Sequence, residues 1–160
     1  MTEKKRLSWL GYFCKLLMVT AERSPCLKRK IGAIIVDDES KRVLSMGYNG
    51  APPGVINCSS RGVCFRKDFK SGENLEDCKA VHAEQNALMQ LLKYGINMNG
   101  MRLTLYCTHK PCNTCMKLIV AAGIKKVKYL EDYPSDSNLL YSNIVECELI
   151  DVEGMYESAK

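Results

Sequence analysis

The sequence predicts an α/β fold with helices on both faces of one sheet, and three observations carry that prediction. Short β-branched runs alternate with segments of helical period, the 160-residue length suits one domain with a real core, and hydrophobic content of 46% with 26% charge is that of a globular chain. No apolar run reaches the roughly 18 residues of a membrane span, and the opening "MTEKKRLSWL" is charged and then amphipathic, unlike a secretory leader.

The elements follow in order. Leu7, Leu10, Cys14, Leu17 and Ala21 recur at helical spacing, predicting a first helix over about 7–22, with Pro25 just beyond it. "KIGAIIVDD" (30–38) and "RVLSMGYNG" (42–50) flank a polar turn and read as an antiparallel hairpin. About thirty residues from Asn49 to Cys78 then show no periodicity, a length that a compact domain tolerates only if the segment is functional or stapled. Residues 80–93 are helical in pattern and Gly95 is placed as a C-terminal cap. "MRLTLYCT" (101–108) alternates as a strand, and "PCNTCMKLIVAAG" (111–123) carries Pro at its start and Gly at its end, as a helix does. "IKKVKYL" is a strand, "DSNLLYSN" a short helix and "VECELIDV" a last strand.

A net charge of +5 and 8% aromatics fall short of the basic, aromatic-laced surface of a nucleic-acid binder, so neither nucleic acid nor membrane is expected as a partner. A cytoplasmic setting is expected, and nine cysteines are many for a reducing compartment where disulfides rarely persist, so the clustered ones point to metal ligation, while Cys14, Cys107 and Cys147 lie in apolar segments and read as inert buried thiols. His82 and Glu84 open one helix, and Cys112 and Cys115 open another. Helix N-termini favour thiolates, and one His with two Cys gives three protein ligands, the number that catalytic zinc uses when water takes the fourth position. Zinc brings the pKa of bound water to about 7, and Glu84 stands beside the site as a proton carrier. His-x-Glu alone recurs by chance, and Pro-Cys-x-x-Cys alone could be a redox dithiol or half of a zinc ribbon. Together they match the signature of zinc nucleobase deaminases.

"RSPCLKRKIGAIIV", "MGYNGAPPGVINC", "VHAEQNALMQ", "LTLYCTHKPCNTCMKLIVAAGIKKVKY" and "EDY" resemble the deoxycytidylate (dCMP) deaminases over about residues 7–150. The resemblance implies a cytidine deaminase-like three-layer α/β/α sandwich with a mixed five-stranded sheet, one deaminase domain over 1–160 and a Cys-containing insert at about 51–79. It implies hydrolysis of dCMP to dUMP and ammonia, supplying dUMP for thymidylate synthesis. The alternative is deamination of dCTP, a nucleoside or a tRNA base. By resemblance, His82, Cys112 and Cys115 bind catalytic zinc, and Glu84 gives protons to N3 and to the leaving amine. Asn49 is expected at the sugar or phosphate, the backbone near Thr108 at the amino group, and Tyr133 over the nucleotide. A phosphate also needs cations, and Arg23, Lys28 and Lys30, with Arg29 among them, form the candidate cluster.

Cys26, Cys58, Cys64 and Cys78 are either scattered buried thiols or a closed structural zinc site that orders the insert; similar deaminases carry a second zinc at positions matching Cys26 and Cys58. Gln85 and Lys110 depart from the family, which usually has an apolar and an aromatic residue there. The resemblance further suggests a homohexamer, dCTP activating and dTTP inhibiting near Tyr48 and Gly50, and Mg2+ accompanying such a triphosphate.

Overall fold

The computed structural model describes residues 6–70, 73–74, 77–133 and 140–151. Among them the order is α1 (Trp9–Glu22), β1 (Gly32–Asp37), β2 (Val43–Tyr48), α2 (Cys58–Arg61), α3 (Ala83–Lys93), β3 (Leu103–His109), α4 (Asn113–Ala121), β4 (Lys126–Glu131) and β5 (Glu146–Leu149). The strands form one mixed sheet in the order β2-β1-β3-β4-β5. β1 is antiparallel to β2 and to β3, whereas β3, β4 and β5 run parallel. Each parallel pair needs a crossover, which α4 supplies between β3 and β4.

Alternation along β1 sorts the core. Ile34 and Val36 face α1, packing with Phe13, Leu17 and Tyr106, while Ala33 and Ile35 face the opposite layer with Ala87, Leu91, Met116 and Ile119 of α3 and α4. Helices therefore cover both faces, as expected. Ser8 caps α1 by accepting a hydrogen bond from the Gly11 N–H at 3.0 Å, so the helix begins two residues later than the apolar spacing suggests. Gly95 and Gly123 follow α3 and α4 with φ of 64° and 79°, the left-handed conformation of a helix stop.

Two differences from the sequence pattern have physical causes. α3 starts at Ala83 rather than at Ala80, because Val81 is paired with Gly50 through hydrogen bonds of 2.9 and 3.2 Å and so is held extended. The aperiodic insert contains one helical turn, α2, too short for a hydrophobic period to register. Of "DSNLLYSN", Leu140 and Tyr141 are helical and residues 136–139 lie outside the described residues.

Gly47 sets how closely α3 lies on β2. A Cβ there would meet the Ala83 carbonyl oxygen and the Ala87 nitrogen at 2.4 Å each, both backbone atoms that cannot swing away. We expect Gly47→Ala to push α3 off the sheet, lowering stability by about 1–3 kcal/mol and reducing turnover with it. An unchanged urea midpoint would contradict this close approach.

Candidate active site

His82 and Cys112 occupy the same place in two helices: each is the N-cap, in extended conformation, of α3 and α4 respectively. Cys115 lies in the first turn of α4 and is fully buried. This geometry directs an imidazole and two thiols toward one point between two positive helix ends. The His82 Nδ1 is 3.5 Å from Cys112 Sγ and 3.3 Å from Cys115 Sγ. A tetrahedral zinc, with Zn–N of about 2.0 Å and Zn–S of about 2.3 Å, separates such a nitrogen and sulfur by about 3.5 Å. The donor set and its spacing fit the ion. Among the described residues this is the single group of three or more such side chains with ligand atoms all within 4.8 Å.

Gln85 has a role here. Its Oε1 accepts the His82 N–H at 3.0 Å, the reciprocal bond of a capping box, and fixes the residue that carries the imidazole. Glu84, one residue earlier, is 4% exposed, and burial raises its carboxyl pKa above the ordinary carboxylate range, with the Cys115 thiol beside it. Hydrogen bonding from Cys115, aided by His82, holds the Cys112 thiol down to about 4. The same bond to Cys112, together with burial, raises the Cys115 thiol. His82 is raised chiefly by its hydrogen bond to Cys112.

His82, Glu84 and Cys112 line a pocket of about 260 Å³, together with Asn49, Tyr133 and a group of cations. Asn49 is largely committed to the fold. Its Oδ1 lies 2.8 Å from the Ile31 N–H and 2.6 Å from the Ser24 hydroxyl, and its Nδ2 donates to the Arg29 carbonyl at 2.9 Å, leaving one amide hydrogen for a ligand. Thr108 is buried and accepts the Gly32 N–H at 3.2 Å; its neighbours His109 and Lys110 reach the pocket. Burial lowers His109, against the opposing pull of Glu131 at 3.2 Å. Arg29 lies over the Tyr133 ring at 5.6 Å.

The candidate phosphate cluster divides. Lys28 and Arg29 line the pocket, whereas Arg23 caps the end of α1 in solvent and Lys30 reaches back toward the Glu22 carbonyl, so neither of these two faces the site. Arg66, from the aperiodic insert, is in the pocket instead. Sequence reading missed it, and no periodicity or adjacent motif marks it.

Cys26, Cys58, Cys64 and Cys78 surround a cavity of about 20 Å³, room for one atom-sized guest. Their sulfurs do not form a group of three within 4.8 Å. Cys64 Sγ accepts the Arg66 N–H at 3.4 Å, and Cys26 Sγ the Arg29 N–H at 3.5 Å. Cys26 and Cys78 also line the larger pocket, so the two cavities share a wall. Tyr48 is 37% exposed at the end of β2, and Gly50 is buried against Pro25 and Val81.

Residues 7–131 match the family model of the cytidine and deoxycytidylate deaminase zinc-binding region. The chain belongs to this deaminase family. It is 42% identical over 131 residues to the deoxycytidylate deaminase of Saccharomyces cerevisiae, matching 82% of this chain and 40% of that protein. The chain thus spans about two fifths of the length of that yeast relative. The deoxycytidylate deaminase of Mycobacterium phage D29 is 41% identical over 130 residues, covering 78% of this chain and 95% of the phage protein. In three dimensions the chain is similar to the dCMP deaminase of cyanophage S-TIM5 in complex with dCMP and dUMP, with a TM-score of 0.71, 32% identity, and coverage of 88% of this chain and 96% of that one. The zinc-binding deaminase domain and its mixed five-stranded sheet agree with the architecture expected from the sequence.

Proposed function

We propose that this deaminase converts dCMP to dUMP and ammonia, with dUMP passing to thymidylate synthesis. The observation that carries the reading is the convergence of His82 Nδ1 and the Cys112 and Cys115 sulfurs beside the buried Glu84 carboxyl at one end of an open pocket. The deoxycytidylate deaminases of yeast and phage D29, and the cyanophage enzyme bound to dCMP and dUMP, support this substrate.

His82, Cys112 and Cys115 hold zinc in this reading, and zinc when bound makes a water molecule a nucleophile at neutral pH. The remaining steps belong to side chains. Glu84, shielded from solvent, carries a proton to N3 of the cytosine and another to the departing amine. The uncommitted Nδ2 hydrogen of Asn49 meets the sugar, the main chain around Thr108 receives the amino group, and Tyr133, steadied by Arg29, closes over the nucleotide. Cys26, Cys58, Cys64 and Cys78 take a second, structural zinc in the atom-sized cavity between them, drawing the insert together as it binds.

We place the protein in the cytoplasm: all nine thiols are free, and no helix of the described residues is long and apolar enough to cross a membrane. A homohexamer, with dCTP and dTTP (carrying Mg2+) acting near Tyr48 and Gly50, completes the reading.

The test is ammonia release from dCMP, dCTP, deoxycytidine and a tRNA stem-loop, each with and without added dCTP, beside a zinc count. We expect dCMP to be the best substrate and two zinc ions per chain, falling to one in Cys58→Ser. Turnover of RNA without turnover of dCMP would reverse the substrate; one zinc in the wild-type chain would remove the structural ion.

A further inference from the structure

Arg66 is 8% exposed, lies in the insert and lines the pocket that holds His82 and Glu84. A guanidinium stays charged at any pH a protein meets, and burying it is costly unless anions or full hydrogen bonding compensate. Its compensation is incomplete. Nη2 donates to the carbonyls of Lys70, at 3.2 Å, and Glu73, while Nε is buried without a hydrogen-bond partner among the described residues. No carboxylate pairs with Arg66 among the described residues.

The other basic side chains of the pocket differ. Lys110 is 3.1 Å from Asp132, His109 is 3.2 Å from Glu131, the Lys28 ammonium donates to the Phe69 carbonyl, and Arg29 rests on Tyr133. Among the described residues, Arg66 is thus the buried cation of the pocket with an unsatisfied donor and no acidic partner.

We infer that Arg66 is a phosphate receptor of this pocket, binding the dianionic phosphate of a nucleoside monophosphate through its guanidinium. This deepens the deaminase reading and rests on it. The two backbone carbonyls hold the guanidinium plane, and the Arg66 N–H to Cys64 Sγ contact fixes the backbone it grows from, so the fork is organised before the anion arrives. An insert without periodicity therefore supplies the group that separates a nucleotide from a nucleoside. Lys28, whose ammonium already has a carbonyl partner, adds only a point charge.

The zinc-loaded, full-length protein is assayed with dCMP and deoxycytidine as wild type, Arg66→Gln and Arg66→Lys, with inorganic phosphate as competing anion. In Arg66→Gln the ratio of kcat/KM for dCMP to that for deoxycytidine is expected to fall about 100-fold, mainly through KM for dCMP. In Arg66→Lys it should recover in part, and inhibition by inorganic phosphate should weaken in both variants. An unchanged ratio, or equal losses on both substrates, overturns the assignment. If Arg66→Gln does not fold, Arg66→Lys decides through its inhibition constant for phosphate, which must rise. Failure of wild type to deaminate dCMP at all would instead refute the deaminase reading itself, so the two failures are distinct.

Discussion

Glu84→Gln keeps its zinc and loses its turnover: kcat on dCMP falls by about 10²–10⁴-fold, with one catalytic ion per chain still bound. Both halves of the expectation follow from position. Glu84 is not among the three side chains whose ligand atoms converge, so removing its charge leaves the donor set intact. The amide is nearly isosteric and fits the same buried site, but it cannot carry a proton between ring and leaving group. Metal analysis beside steady-state kinetics reads both. Normal turnover in Glu84→Gln would assign the proton transfers elsewhere, and loss of zinc would make Glu84 a ligand.

Removing a ligand has the larger effect. Cys115→Ser or His82→Ala should abolish catalytic zinc and activity together, and a chelator should do the same to wild type until zinc is restored. The thiol chemistry adds a sign. With Cys112 held down to about 4 and Cys115 raised, the metal-free pair is one thiolate and one thiol at neutral pH. Zinc must therefore displace the Cys115 proton, and affinity should rise with pH by about tenfold per unit for each proton released. Zinc titration against a competing chelator at about pH 6 and pH 8 measures this. A pH-independent affinity would mean that both thiols are already ionised and the His82 imidazole already neutral.

Much of this was legible in the residues themselves. The hairpin was readable because β-branched runs flank an acidic turn, and the candidate metal ligands because their two motifs sit at helix starts, with Pro before one helix and Gly after each. What stayed hidden was placement that depends on distant partners. Arg23 and Lys30 are chain neighbours of Lys28 and Arg29, yet Asn49 grips the Arg29 carbonyl and the Ile31 N–H, and the loop so shaped leaves its two outer cations away from the pocket. The same grip explains why Asn49, expected as a ligand of sugar or phosphate, spends most of its amide on the fold. Arg66 could not be found from pattern at all, since an aperiodic segment gives no face to read; its meaning comes from burial without a countercharge.

The start of α3 is fastened to the outermost strand three times over. Gly47 lets the helix backbone rest on β2, the Asn86 Nδ2 donates to the Tyr48 carbonyl at 2.8 Å, and Gly50 pairs with Val81, the residue before His82. Helix start and strand end thus behave as a single stiff lever whose far tip is the imidazole. Because β2 is an outer strand of the sheet among the described residues, a displacement of that strand would be passed to the imidazole through these attachments.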